Sequence, residues 1–256
     1  MGQGSGKPRS AEGPSRYPHN MSNLNEPVLP GGGASDYERY LRTDELLALQ
    51  KSPDVMLHRD ELLFQTIHQT AELWLKLAAF EIETATSLID RDQAPAAVRL
   101  LRRATASLDL VTSGTLMLEH LAPWDYHGVR RGLRHGSGFD SPGFRRTHEL
   151  SPPLGDAFTR LVHRRGLDLA RLYRESHDHD DLFQIAERLV DWDQRLIQWR
   201  TMHLRLVERI IGGNVIGTQG TPVEVLGKRL DVRYYPQLWD VRNALTAEAQ
   251  TSPEPR

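Results

Sequence analysis

The chain has 256 residues, 26% of them charged and 39% hydrophobic, with a formal net charge of −2. That length supports one large domain or at most two small ones, and the lack of any block of like charge argues against a nucleic-acid or anionic-membrane partner. There is no cysteine, which excludes disulfides, iron–sulfur clusters, a thioether-attached haem and a thiolate haem ligand. No stretch approaches the roughly 18 consecutive apolar residues of a membrane span, and the first residues lack a signal peptide's apolar core, so the expected compartment is the cytoplasm.

Residues 1–35 are rich in Gly, Ser, Pro and Asn and end in Gly31-Gly32-Gly33. Such a composition cannot bury enough apolar surface to order itself, and a disordered tail is expected. A helical domain is expected over 36–246, with a short C-terminal tail over 247–256. Tyr37, Tyr40, Leu41 and Leu47 start its helical pattern, which Thr43 or Asp44 could cap.

From Phe64 the apolar residues run Ile67, Ala71, Trp74, Ala78, Ile82, Ala85 and Ile89, in steps of three and four, which is the helical period. Asp60 can cap this helix, and Arg91 to Pro95 supplies the turn after it. His68 sits one turn past Phe64 and shares its face. A third helix carries Val98, Leu101, Thr105, Leu108, Thr112 and Thr115 and ends near His120. Pro123 begins a short helix with Tyr126 and Arg130 one turn apart. Without further context, such a Tyr and Arg pair is most often an ordinary surface pair.

The segment from Gly132 to Pro153 holds four glycines (Gly132, Gly136, Gly138 and Gly143) and three prolines (Pro142, Pro152 and Pro153), and reads as a structured loop. Another helix is expected over Leu154–Arg174. His177-Asp178-His179 lies in a polar turn and is better read as solvated than as a metal site. The next helix, about Leu182 to Ile211, carries Leu189, Trp192, Leu196, Trp199, His203, Leu206 and Ile210 on one stripe. His203 thus fills a slot where the pattern demands an apolar residue. Gly212-Gly213 ends it, and Gly217-Thr218-Gln219-Gly220 forms a turn without the ending of a phosphate loop. No segment alternates with period two, so the fold class is all-α.

His68 and His203 each interrupt an apolar stripe. A histidine so placed is usually a core residue bonded to a carbonyl, and imidazole is also the side chain best suited to ligating iron or handling a proton near neutral pH. Two helices so equipped could hold a cofactor between them.

The blocks His58 to Phe64, His68-Gln69-Thr70-Ala71-Glu72-Leu73-Trp74, Trp199-Arg200 to His203, and Val207 to Gly212 with Gly217-Thr218 resemble tryptophan 2,3-dioxygenase and its superfamily of histidine-ligated haem-dependent aromatic oxygenases. The resemblance runs from about Tyr37 to Asn243. It implies a helical bundle holding haem b, with His203 as proximal iron ligand and His68 as the distal catalytic histidine beside an indole nitrogen. It further implies Phe64 against the substrate ring, Arg130 forked onto a substrate carboxylate, Tyr126 on the same wall, Ser137 in the distal loop and Thr218 on the substrate ammonium. Tyr37, Tyr40 and Leu41 resemble the helix that completes a neighbouring subunit's pocket, which implies a homotetramer or dimer.

The implied activity is insertion of oxygen from O2 into the indole ring of L-tryptophan or a substituted tryptophan. The product is N-formylkynurenine if both atoms enter, or a hydroxylated or 2-oxindole compound if one does. Ser137-Gly138-Phe139-Asp140-Ser141 stands where the family has Ser-Gly-Phe-Gln-Ser, and Gly217-Thr218-Gln219-Gly220-Thr221-Pro222 replaces Gly-Thr-Gly-Gly-Ser with one residue fewer before the closing helix. The stretch between His148 and Asp191 is also shorter. These departures fall in loops that would close over the substrate and incline the reading toward a specialised member. The alternatives are a haem sensor or carrier without turnover and a cofactor-free helical protein.

Overall fold

The computed structural model describes Met1, residues 26–217, residue 220 and residues 222–251. It divides into two units, residues 1–50 and 51–256.

In the first unit, α1 (Asp36–Leu41) is capped by Ser35, whose hydroxyl accepts from the Glu38 N–H while Glu38 returns to the Ser35 N–H. That capping box, rather than Thr43 or Asp44, starts the helix. Arg42, left-handed at φ 53°, separates α1 from α2 (Thr43–Leu47). Part of the expected tail is folded back here: the Asp36 carboxylate accepts from the Val28 and Leu29 N–H groups, and Arg39 donates to the Gly33 and Leu29 carbonyls. Residues 2–25 lie outside the described residues.

The second unit is built on four long helices, α3 (Glu61–Asp90), α4 (Ala94–Leu116), α6 (Pro142–Arg164) and α8 (Asp180–Ile211). A three-residue turn makes α3 and α4 an antiparallel hairpin; α6 packs on α3 and α8 on α4. Among the described residues there is no strand, only one isolated bridge between Ile216 and Pro222. The remaining helices are α5 (Pro123–Leu133), α7 (Leu169–Arg174), α9 (Glu224–Gly227) and α10 (Pro236–Thr251). None of the described helices is long and apolar enough to cross a membrane.

The stripe read on α3 is rotated by one residue at its centre: Leu75 is fully buried and Trp74 is exposed. Asp60 stands at the N-cap position, but its side chain makes no cap bond; the buried Glu61 instead accepts from the Leu57 and His58 N–H groups. On α8 the expected stripe holds, with Leu189, Trp192, Leu196, Leu206 and Ile210 all buried.

Two expected boundaries are wrong. The segment 132–153 is a loop only to Ser141, since α6 begins at Pro142 and runs through Pro152-Pro153, and the helix expected over 154–174 breaks after Arg164, with Gly166 at φ +66° before α7. Pro142 is at home in a first helical turn, where its missing N–H costs nothing. Interior prolines each remove a helical hydrogen bond, so long-range contacts must hold the backbone in place. They centre on the buried Ser151. Its hydroxyl donates to the Thr147 carbonyl and accepts from Trp192 Nε1, while its carbonyl accepts from the Tyr235 hydroxyl. Gly155 admits the Tyr235 ring, which would lie 2.9 Å from any Cβ there. No short-range pattern signals this support.

Two apolar clusters result. The larger fills the bundle with Leu75, Ile82, Leu108, Leu154, Phe158, Ile185, Leu189, Trp192 and Tyr235. The smaller, of Ile67, Leu118, Leu121, Val129, Leu206 and Ile210, joins α3, α5 and the end of α8. The fully buried Asp193 ties α8 to the segment entering α10, accepting from the Tyr234 N–H (2.8 Å), the Tyr235 N–H (3.0 Å) and Trp239 Nε1 (3.2 Å). The helix α10 continues to Thr251, past the expected end at 246, with Arg174 paired to Glu248 at 2.8 Å. Its Ala, Glu and Gln residues are good helix formers.

Candidate active site

A cavity of about 660 Å³ draws its lining from both clusters, and it has the size of a small-molecule or cofactor site. His68 enters from α3 and His203 from α8, with Phe64, Tyr126, Arg130 and Ser137 also on its wall. These six sequence-derived positions share one cavity, which Gly217 also lines, while Thr218 lies outside the described residues. Tyr37, Tyr40 and Leu41 belong to the first unit, on α1, and are exposed.

His68 keeps accessible surface, yet burial pushes its pKa below 6.5, against the Phe64 carbonyl and Glu72, which favour the proton. The two facts agree if that surface opens on the cavity rather than on bulk solvent. Its Nδ1 lies 2.7 Å from the Phe64 carbonyl oxygen. A carbonyl can only accept, so Nδ1 carries the hydrogen and Nε2 is left as an acceptor. The Phe64 ring stacks on the imidazole at 3.9 Å between centroids and approaches Tyr126 at 6.5 Å. The ordinary reading of a carbonyl-bonded core histidine is therefore half right: one nitrogen is spent that way and the other is free for chemistry.

His203 is lowered to about 4, by burial first and then by His68. It is neutral near pH 7. Neither ring nitrogen makes a hydrogen bond among the described residues, and the ring lies flat on Trp199 at 4.9 Å and 10°. The Trp199 Nε1–H is itself buried without an acceptor among the described residues. Trp199 in turn packs on Phe144 at 4.0 Å. A neutral imidazole with uncommitted nitrogens, on the same cavity as a second neutral imidazole, is a donor set that fits haem iron.

The segment 137–141 closes one side of the cavity. Ser137 accepts from the Phe139 N–H and Asp140 from the Ser137 N–H, so the turn is self-braced. Glu72, one turn past His68, anchors the start of α6: its carboxylate accepts from the Ser141 hydroxyl at 2.5 Å and the Gly143 N–H at 2.9 Å. A side chain at Gly143 would fall 2.6 Å from Glu72 Oε2 and Leu75 Cβ, so only glycine allows this approach. A carboxylate at a helix N-terminus is favoured by the unpaired N–H groups there.

Sequence reasoning missed a further group on the wall: Arg145, His148, Arg200 and Arg229. Arg200 donates to the Val232 carbonyl at 2.7 Å and to the Tyr234 hydroxyl, which in turn bonds His148 Nδ1. His148 is lowered to about 4 by burial, with Arg200 and Arg229 adding to it. Arg200 could have been suspected from its place one turn before His203; the other three come from loops and helix ends with no distinguishing spacing. Arg130 donates to the Ile216 carbonyl at 3.3 Å, bringing α5 to the Gly217 turn. Among the described residues, the one group of three or more possible metal ligands is His58, Asp60 and Asp125.

Comparison with known proteins bears on this geometry. The family model described as tryptophan 2,3-dioxygenase matches residues 24–162 and 155–245. The chain is 31% identical over 260 residues to the tryptophan 2,3-dioxygenase of Shewanella woodyi, covering 82% of this chain and 90% of that one. It is 32% identical over 263 residues to that of Burkholderia pseudomallei, covering 82% and 84%. The same protein of Burkholderia lata is 31% identical over 263 residues, at 82% and 83% coverage. With matches of that extent, and with both motif histidines on one cavity of an all-α bundle, the chain belongs to the tryptophan 2,3-dioxygenase family and is an oxidoreductase.

Proposed function

We propose that the protein is a haem-dependent oxygenase acting on the indole ring of L-tryptophan or a close relative. The observation that carries this reading is the pair of neutral histidines, His68 and His203, facing one cavity that also presents Arg130. Haem b, when bound, supplies the activation of O2.

The chain's own residues do the rest. His203 would hold the haem iron through a neutral ring nitrogen. His68, with its Nδ1–H spent on Phe64, keeps Nε2 as an acceptor for the indole N–H. Arg130 receives the substrate carboxylate, for which a guanidinium fork is shaped, and Thr218 the ammonium. Phe64 and Tyr126 form an aromatic wall for the ring, and Leu118, Leu121, Leu206 and Ile210 keep water out. Orientation and a dry site are the protein's share of the rate. Tyr37, Tyr40 and Leu41, exposed on α1, are assigned to a neighbouring copy's pocket, in a homotetramer or dimer of a cytoplasmic enzyme.

Entry of both oxygen atoms is favoured by the names of the relatives, and entry of one by the altered 137–141 loop, where Asp140 is committed to the Ser137 N–H. Reduced, haem-loaded protein given L-tryptophan and limiting 18O2 decides between them. Two labelled oxygens in the product mean ring opening, and one means monooxygenation. Haem without any product from tryptophan, substituted tryptophans or tyrosine would overturn the oxygenase reading in favour of a sensor or carrier. His203→Ala is expected to take up no haem with a normal ferric spectrum; an unchanged spectrum would remove it as ligand.

A further inference from the structure

The charged groups on the cavity wall do not balance. Four arginines, Arg130, Arg145, Arg200 and Arg229, face two carboxylates, Glu72 and Asp140. Both carboxylates are engaged locally, Glu72 by Ser141 and Gly143 and Asp140 by the Ser137 N–H. Counted as arginines against carboxylates, the wall carries an excess of two positive charges. Arg145, Arg200 and Arg229 form no ion pair among the described residues: Arg145 donates to the Asp140 carbonyl, Arg200 to Val232 and Tyr234, and Arg229 lies over the Phe139 ring at 5.4 Å.

The half-buried Arg200 feels the Asp193 carboxylate, but that group is already spent on the Tyr234 and Tyr235 N–H groups and Trp239, so an arriving anion would offset the cost of keeping the guanidinium there. Burial already pulls the pKa of Arg200 down, and Arg229 adds to it. Arg200 is three residues before His203 on α8, so its guanidinium starts from the same end of the helix, one turn away. Tyr234 and His148 fix the Arg200 head from behind.

We propose that Arg200 and Arg229, assisted by Arg145, form a two-carboxylate clamp that holds the propionate edge of the porphyrin, apart from the Arg130 position that takes the substrate. This rests on the functional reading above, and it adds which residues fix the cofactor's orientation in the cavity. Two propionates match the two surplus charges, whereas a zwitterionic amino acid brings none.

The test is spectral titration of the apoprotein with haem and with its dimethyl ester, in which both carboxylates are masked. Wild type is expected to bind haem about tenfold to a hundredfold more tightly than the ester, the range for charge-assisted hydrogen bonds. Arg200→Gln combined with Arg229→Gln should bring haem down to the ester's affinity and leave the ester's own affinity unchanged. If that double variant does not fold by circular dichroism, the exposed Arg229→Gln alone must show the same selective loss, in smaller degree. Equal losses for both ligands, or no discrimination by wild type, would overturn the clamp. Uptake of neither porphyrin by wild type would overturn the functional reading and the clamp with it, whereas normal binding of the ester alongside a failed discrimination would spare the former.

Discussion

Arg130 is the clearest case of a side chain whose role can be separated from its packing. Its guanidinium spans from α5 to the Ile216 carbonyl and otherwise faces the cavity. Arg130→Ala is expected to raise KM for the amino-acid substrate by about tenfold to a hundredfold, as loss of a charge-assisted hydrogen bond implies. Steady-state kinetics check this, and an unchanged KM would remove Arg130 from the carboxylate role. His148 gives a pH signature. Its folded value is about 4 against the ordinary 6.5, so the folded apoprotein binds fewer protons than the unfolded chain between those values. The stability it confers is complete above pH 6.5 and is lost as pH falls towards 4. His203 adds to the same slope in the apoprotein. Thermal midpoints measured across that window should fall with pH in the wild type, and less steeply in His148→Gln.

At the level of elements, the join between α3 and α6 decides how the cavity is closed. Glu72 holds both the Ser141 hydroxyl and the Gly143 N–H, so Glu72→Gln keeps the size but weakens the acceptor. The substitution should cost about 1–3 kcal/mol in denaturant unfolding and loosen the 137–141 segment, raising KM more than it lowers kcat. A variant as stable as wild type with unchanged KM would leave this anchor without consequence. The elements also show what short-range patterns can carry. The stripe on α8 was legible because a single face of a long helix packs inward along its whole length, and it delivered His203 directly. The stretch 132–153 misled because prolines were weighed by their local cost alone. Trp192 and Tyr235, which lie 41 and 84 positions from Ser151, set the outcome there. Arg145, His148 and Arg229 escaped for the same reason, since what joins them is the convergence of α6, α8 and the approach to α10.

For the molecule as a whole, two apolar clusters border one cavity, so a ligand bound there would touch both. Haem binding to the folded state alone should stabilise it by about 2.7 kcal/mol at a hundredfold excess over Kd. Calorimetry of apo and haem-loaded protein tests this, and equal midpoints would mean that the ligand does not select the folded form. The proline pair in α6 carries one more consequence, for the order of assembly. Pro152 and Pro153 have no amide hydrogen, so the helix cannot propagate across them on its own hydrogen bonds. Amide exchange of residues 154–162 is expected to slow only once Trp192 and Tyr235 have docked on Ser151, which hydrogen exchange during refolding checks. On that expectation, the part of the bundle that looks most local in sequence is completed only after the residues around 235 are in place.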